Sequence, residues 1–154
     1  MERMRMSVKK TSLKVDSQKR RFIRLELKSK VKFKLVFHSH NNGQPNSKKT
    51  HPGIMLNISR GGILLLTSVE LQPDDFLAIS FEIPRLASLT NVLGKVKRAE
   101  KDKKKYVVGI EFCELADFYP YLSIRNSSAL PRGLESFRHK FEDMLLRRKL
   151  SALV

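Results

Sequence analysis

The chain lacks tryptophan, has a single cysteine and contains no long hydrophobic run. Cys113 cannot form an intramolecular disulfide, and such sparse cysteine usage is typical of a reducing compartment. No apolar run approaches the ~20 residues of a transmembrane helix, and no apolar segment follows the basic N-terminus as it would in a secretory signal. We therefore expect a cytoplasmic protein without stable membrane insertion, and we expect Cys113 to be a small buried hydrophobic residue.

Acidic residues are also scarce. The 154 residues include 31 Lys or Arg but only 15 Asp or Glu, a net charge of +16. Residues 1–30 alone contain eleven basic and three acidic residues, so half of the net charge lies in the first fifth of the chain. This imbalance attracts an anion, which could be a nucleic acid, an anionic lipid, a nucleotide or an acidic protein surface.

Groupings that indicate catalysis or metal binding are missing as well. The sequence has no Ser/His/Asp set, carboxylate pair or phosphate-binding P-loop, so we predict that the protein is not an enzyme and has no cofactor. His38, His40 and His51 are the only residues that suggest a metal site. Because no carboxylate is near them and Cys113 is distant in sequence, we predict no bound metal.

What is present is a series of short segments in which apolar and polar residues alternate, as in half-buried strands. Turn-forming residues separate these segments, with a long exposed hairpin loop predicted over 40–49, a turn over 72–75 and an end to the fourth strand at Pro84. The six predicted strands cover residues 31–38, 54–58, 63–67, 77–83, 92–99 and 106–112.

The C-terminal part changes period. Apolar residues recur there at spacings of three and four, which predicts an amphipathic helix over about 133–149 with one core-facing stripe: Leu134, Phe137, Phe141, Met144 and Leu145. Residues 114–130 are compatible with a short helix or a packed loop. The pattern predicts a mainly β fold, a six-stranded antiparallel β-barrel with a C-terminal α-helix, over residues 19–150, preceded by a flexible basic arm, 1–18.

The sequence Lys19-Arg20-Arg21-Phe22-Ile23-Arg24 places basic residues close to the first predicted strand. Arg20 and Arg24 are four residues apart, with Arg21 between them, and each guanidinium is a planar fork that can bind a phosphate or the O6/N7 edge of guanine. Taken alone, such a run is more typical of a solvated basic segment.

A second polar group lies between the second and third predicted strands. Asn57 and Ser59 are two residues apart, so their side chains point the same way on an extended backbone. Gly62 permits a positive φ angle and close approach of a ligand to the backbone. Taken alone, this pattern fits an ordinary hairpin turn equally well.

Together, R-x-x-x-R at Arg20 and Arg24 and N-x-S-x-x-G at Asn57, Ser59 and Gly62 resemble the two motifs of the PilZ domain, a bacterial receptor for the second messenger cyclic di-GMP. The family fold is a six-stranded β-barrel with a C-terminal helix, and the resemblance extends over about residues 19–146. It implies that Arg20, Arg24 and, in support, Arg21 contact phosphates and guanine edges. Asn57 and Ser59 would hydrogen-bond a guanine, and Gly62 would keep the turn open.

The resemblance also implies a mechanism in which ligand binding orders the N-terminal arm against the barrel and relays the signal to an unidentified downstream protein. The motif begins with Asn57 where the family more often has Asp, and no tryptophan is available to stack on a base. Whether one ligand or an intercalated dimer binds is open. So is the process that the downstream partner controls.

Two alternatives use the same residues differently. One is a nucleic-acid-binding barrel, suggested by the net charge of +16. We predict against specific recognition, because Phe33, Phe37, Phe81 and Phe112 lie on the inward phase of their strands, whereas base stacking needs exposed aromatics. The other is a degenerate PilZ-like module that binds only protein, and the two complete motifs argue against it.

Overall fold

A computed structural model of the chain describes residues 25–39, 46–121 and 130–152. Its six strands form a closed barrel in the order β1-β2-β3-β6-β5-β4, and every neighbouring pair is antiparallel. The predicted fold class is confirmed. The strands are β1 (Leu25–Phe37), β2 (Asn46–Ile58), β3 (Gly62–Thr67), β4 (Phe76–Ile83), β5 (Ala87–Asp102) and β6 (Lys105–Phe112). Helix α1 (Leu115–Phe118), a 3₁₀ turn (Tyr119–Tyr121) and helix α2 (Phe137–Ala152) follow β6.

The barrel interior is filled by the apolar residues of the alternating segments. In β3 the buried and half-buried residues alternate strictly, and the fully buried Leu65 points into the same core as Met55, Ile79 and Val108. Closure of the barrel leaves no unpaired strand edge, so each strand has a hydrogen-bonded partner on both sides. The period-2 pattern of the sequence therefore corresponds to an inner and an outer face.

A second apolar cluster lies on the outer face of β1, β4 and β5, where α1 covers it. It contains Val36, Phe76, Leu93 and Phe118, and Phe37 packs against it. The predicted inward position of Phe37 is wrong, because a register shift between Leu35 and Phe37 interrupts the alternation. Within residues 114–121 the short helix is the correct alternative; residues 122–129 lie outside the described part of the chain.

Cys113 belongs to this outer cluster and is only 6% exposed, as expected for a small buried residue. Its thiol donates to the carbonyl oxygen of Glu111 at 3.4 Å. Burial, with a smaller contribution from the charge of Glu111, raises the pKa of Cys113 to about 11. The thiolate is therefore disfavoured at neutral pH.

We expect Cys113 to react with a disulfide reagent at pH 8 at least 100-fold more slowly in the folded protein than in urea. A pKa of about 11 against the ordinary 9.0 lowers the thiolate population by roughly two orders of magnitude, and burial adds a barrier to access. Stopped-flow absorbance with Ellman's reagent measures both rates. Equal rates would contradict the buried position.

Two strand boundaries differ from the prediction. β1 begins at Leu25 instead of residue 31, and β2 begins at Asn46, so the hairpin loop predicted over 40–49 is too long. Asn46 and Ser47 are turn formers by type, but Asn46 pairs with Leu35 in the β1–β2 ladder, which satisfies backbone groups that a loop would expose.

Helix α2 begins at Phe137, four residues later than its periodicity predicted. Gly133 has a φ of +73°, and the N–H of Glu135 donates to the carbonyl of Asn91, so this stretch is held along β5. The buried Ser136 then caps the helix, because its hydroxyl accepts the N–H of His139 at 3.1 Å.

The apolar stripe of α2 is only partly covered. Phe137 is buried and Phe141 half-buried against the barrel core, whereas Leu145 is 37% exposed and Leu146 is 55% exposed. The prediction of one continuous core-facing stripe therefore holds for the first half of the helix only. Among the described residues, no helix is both long and apolar enough to cross a bilayer.

Asp75 ties three segments of the barrel together although its side chain is completely buried. Its carboxylate accepts the N–H and the hydroxyl of Ser39 at 2.8 and 2.9 Å and the N–H of Gln72 at 2.9 Å. His38 Nδ1 lies 3.4 Å from the same carboxylate. The main chain of Asp75 closes the predicted 72–75 turn, and its carbonyl accepts the N–H of Val96.

We expect Asp75→Asn to lower the free energy of unfolding by about 2–4 kcal/mol, because an amide NH₂ would replace an acceptor that faces donors. Urea unfolding followed by circular dichroism measures the change. The matched control is Asp74→Asn, because the Asp74 side chain is 67% exposed and, among the described residues, contacts only Lys95 at 3.4 Å. We expect a change within ~0.5 kcal/mol. Equal midpoints for the two variants would contradict the role of Asp75.

Candidate functional site

The second motif forms the tight connection between β2 and β3. The N–H of Ser59 donates to the carbonyl of Gly62 at 2.9 Å, and the N–H of Gly61 donates to the Ser59 hydroxyl at 3.1 Å. Asn57 and Ser59 are half-buried and flank Ile58, which is 3% exposed in the barrel core. The turn is thus fixed by its own hydrogen bonds, and its two polar side chains lie at the barrel surface.

Gly62 is needed here for strand packing, and the prediction that it has a positive φ is wrong. The only glycine with a positive φ in the described residues is Gly133, so Gly62 does not use left-handed backbone. A Cβ on Gly62 would instead overlap the carbonyl oxygen of Ile110 and lie 3.2 Å from the Cα of Glu111. Gly62 therefore allows β3 to approach the backbone of β6, as the pairing of Gly62 with Glu111 requires.

The β2–β3 ladder has a register shift just before Asn57. Asn57 pairs with Glu26 of β1 on one side and with Leu64 of β3 on the other. Among the described residues its side chain makes no hydrogen bond. A primary amide offers both a donor and an acceptor, so Asn57 can bind a ligand without breaking an existing contact in this part of the chain.

A cleft of about 160 Å³ lies between the motif turn and α2. Ser59 and Arg60 line one wall, and Phe137 and Phe141 line the other. The turn is also joined to β6, because the N–H of Phe112 donates to the carbonyl of Gly61 at 2.9 Å. The sequence analysis missed the helix wall and Arg60, since no local pattern indicates that residues 137–141 lie beside residues 58–60.

Stacked phenylalanine rings form the side of this cleft opposite Ser59 and Arg60. The ring of Phe137 lies 4.4 Å from that of Phe112 and 5.5 Å from that of Phe141, each nearly parallel. On the surface, Arg138 is bound to Glu114 at 2.9 Å, and the hydrogen bond to Glu114 is the main cause of the raised pKa of Arg138. Helix α2 is thus held against the barrel end next to the motif.

Arg20, Arg21 and Arg24 lie outside the described residues. The strand that follows them is described: β1 begins at Leu25, Leu25 pairs with Ile58, and Glu26 pairs with Asn57. Paired residues of an antiparallel ladder have Cα atoms roughly 4.5–5.5 Å apart. The start of β1 and the Asn57–Ser59 segment are therefore neighbours across one ladder.

Two of the three histidines that suggested a metal site, His38 and His51, make other contacts. His38 contacts the buried Asp75, so the prediction that no carboxylate is near the histidines is wrong for His38. His51 packs against Phe33 with ring centroids 5.3 Å apart. Burial, with a smaller effect of Lys49, lowers the pKa of His51. In the described ranges no three His, Cys, Asp or Glu residues form a metal-binding group. His40 lies outside those ranges.

Comparison with known proteins gives the following matches. Residues 18–117 match the model of the PilZ domain. The solved structures that resemble this chain include the inhibitor of motility MotI/DgrA from Bacillus subtilis, with 18% sequence identity and a TM-score of 0.47. Another is MrkH from K. pneumonia in complex with c-di-GMP, with 19% identity and a TM-score of 0.47.

Each structural match covers 86% of this chain and 52% of the matched chain, so the protein spans about half the length of those structures. No curated protein sequence matches at a significant level. The PilZ match extends over well over half of the chain. The protein therefore belongs to the PilZ domain family.

Proposed function

We propose that this protein is a receptor for cyclic di-GMP and not an enzyme. The observation that carries the proposal is the pairing of β1 with β2, in which Leu25 lies opposite Ile58 and Glu26 opposite Asn57. Because Arg24 is bonded to Leu25, this pairing supports an arginine motif that meets the Asn57–Ser59 turn. The two motifs, 33 residues apart counted from Arg24 to Asn57, would then bind the same ligand.

The residue types suit the two halves of the ligand. Cyclic di-GMP carries two phosphates and two guanines. The guanidinium groups of Arg20 and Arg24 would bind a phosphate or a guanine edge with paired hydrogen bonds, and Arg21 would add charge. Asn57 supplies an amide donor and acceptor, and Ser59 a hydroxyl, for a guanine edge. A dianion leaves water at acceptable cost only when such groups satisfy its charge and hydrogen bonds.

The signal would arise from ordering of the basic N-terminal arm. The arginines precede β1, whereas Asn57 and Ser59 are held by the barrel and by the turn hydrogen bonds. A ligand that binds both motifs would therefore fix the arm against the barrel. The ordered arm would then contact a downstream protein. Phe137 and Phe141 of α2 line the same cleft as Ser59. A change in the motif turn on ligand binding would therefore also alter the packing of α2.

Isothermal titration calorimetry of the full chain with cyclic di-GMP tests the proposal. We expect saturable heat at micromolar ligand, and none with cyclic di-AMP, because adenine lacks the O6 acceptor and N1–H donor of guanine. Absence of binding at tens of micromolar cyclic di-GMP, or equal binding of both dinucleotides, would refute the proposal.

A further inference from the structure

The outer face of β1 carries a row of lysines that the ligand motifs do not use. Residues Val31, Phe33 and Leu35 of this strand point into the barrel core. The residues between and before them are Lys28, Lys30, Lys32 and Lys34, of which the first three are exposed and the last half-buried. Alternate residues of a strand are roughly 6.7 Å apart, so Lys30 to Lys34 span about 13 Å. Lys28 precedes them at a register shift of the β1–β2 ladder.

This row is not neutralised by the fold. Among the described residues none of the four lysines takes part in an ion pair, in contrast to Lys95 and Lys97, which contact Asp74 and Glu111. The register partners of Lys32 and Lys34 on β4 are Ser80 and Ala78, which carry no charge. Four uncompensated like charges on one line favour a partner with repeated negative charges.

A groove beside the row supplies further groups that bind phosphate. It has a volume of about 920 Å³, and both Lys30 and Lys32 line it. Lys105 contributes a third ammonium group from β6, and the hydroxyls of Ser80, Ser88 and Thr90 lie along it. Glu82 is the one carboxylate in its lining. Lysine and hydroxyl side chains are common partners of the phosphates and sugars of nucleic acids.

Exposed aromatic rings lie at the end of the row. Tyr119 is 57% exposed and Tyr121 is 42% exposed. The Tyr121 ring lies 5.2 Å from that of Phe37, the last residue of β1, and 5.1 Å from that of Phe76 in the outer cluster. Lys34 pairs with Ala78 of the same cluster, so the lysines and tyrosines share one outer face. Sequence periodicity did not reveal this, since the tyrosines are not in a strand.

We propose that the outer face of β1 and the Tyr119–Tyr121 turn form a track for single-stranded nucleic acid, bound without sequence preference. The phosphates lie along Lys28–Lys34 and the adjoining groove, and unpaired bases stack on Tyr119 and Tyr121. Exposed rings at the end of a basic groove favour a single strand over a duplex or a lipid surface, because only unpaired bases offer free faces for stacking. Asn57 and Ser59 are not part of the track, although its first residue, Lys28, lies two residues after Glu26, the ladder partner of Asn57.

Fluorescence anisotropy of a labelled oligothymidylate of about 16 nucleotides tests the track, with the full chain and a series of salt concentrations. Changing Lys28, Lys30, Lys32 and Lys34 to Gln should weaken binding at least tenfold at low salt. It should also flatten the slope of log affinity against log salt by roughly 3, since each lost phosphate contact contributes about 0.7. The matched control changes four exposed cations outside the track: Lys97, Lys101, Lys103 and Arg132, each to Gln.

Tyr119→Ala with Tyr121→Ala separates stacking from charge. This double variant should bind roughly tenfold more weakly with an unchanged salt slope. Asn57→Ala should bind the oligonucleotide as the wild type does, whatever its effect on the affinity for cyclic di-GMP. Failure of the nucleic-acid track can therefore be distinguished from failure of the proposed cyclic di-GMP receptor. Equal losses in the track and control variants, tighter binding to a duplex of the same length or to anionic vesicles, or no binding at low salt would each overturn the proposal.

Discussion

Gly62→Ala is expected to destabilise the barrel by about 3 kcal/mol or more, at the upper end of what overpacking costs. The added methyl group would overlap the carbonyl oxygen of Ile110. Backbone cannot rotate away as a side chain can, so β3 and β6 must separate where Gly62 pairs with Glu111. We expect a lower urea midpoint, or loss of the cooperative transition, measured by circular dichroism.

Gly109→Ala provides the control in the same pair of strands. Gly109 pairs with Leu64, and a Cβ there meets only the side chain of Arg98, at 3.3 Å from Cγ. Arg98 is exposed and can move, and alanine also reduces the entropy of the unfolded chain, so we expect a change within ~1 kcal/mol. If Gly62→Ala were as stable as Gly109→Ala, the steric role of Gly62 would be wrong.

This comparison decides how the motif glycine should be interpreted. The N-x-S-x-x-G motif contains Gly62, but the structure gives this residue a role in strand packing that no ligand is needed to explain. Loss of ligand binding in Gly62→Ala would therefore report the distorted turn as well as the site. Asn57, which makes no hydrogen bond in the described part of the chain, is the cleaner position for testing contacts.

Arg20→Ala and Arg24→Ala should each weaken cyclic di-GMP binding by about 30-fold or more, and the double variant should abolish measurable heat. Removing one partner of a buried, hydrogen-bonded charge pair costs roughly 2–5 kcal/mol, and every 1.4 kcal/mol is tenfold in affinity. Isothermal titration calorimetry measures each constant. Arg→Lys at either position should give intermediate affinity, because lysine keeps the charge but loses the planar fork.

Lys9→Ala is the control for general electrostatic attraction. It removes one positive charge from the same basic region, residues 1–30, without touching either motif. We expect less than a twofold change, since single exposed charges are screened at physiological salt. Comparable losses in Lys9→Ala and Arg24→Ala would show that net charge, and not the arginine motif, determines affinity.

The alternation of apolar residues was sufficient to predict the barrel, because the side-chain period of a strand is two and each predicted segment has one inward face. It failed where local geometry departs from that period. The register shift before Phe37 moves this ring to the outer cluster, and ladder pairing extends β2 back to Asn46, a turn former by type. Neither feature has a local sequence signal.

The start of helix α2 and the exposure of its apolar residues also depend on tertiary packing. Its period of three and four is clear, yet its start at Phe137 depends on backbone contacts of Glu135 with Asn91 and Leu93, which are more than 40 residues away in sequence. The exposure of Leu145 and Leu146 likewise follows from where the helix leaves the barrel. Periodicity identifies an apolar stripe, but the surface available to cover it is set by tertiary structure.

The sequence by itself determined the fold class, the inward residues of most strands and the two motifs that mark the PilZ domain family, because each depends on residue type at short spacing. Only the tertiary structure decided which distant residues meet: the start of β1 with Asn57, Asp75 with His38 and Ser39, Gly62 with the backbone of Ile110, and Phe37 with Tyr121. The physical reason is that barrel closure and strand register set these distances, and both depend on pairing between segments far apart in the chain.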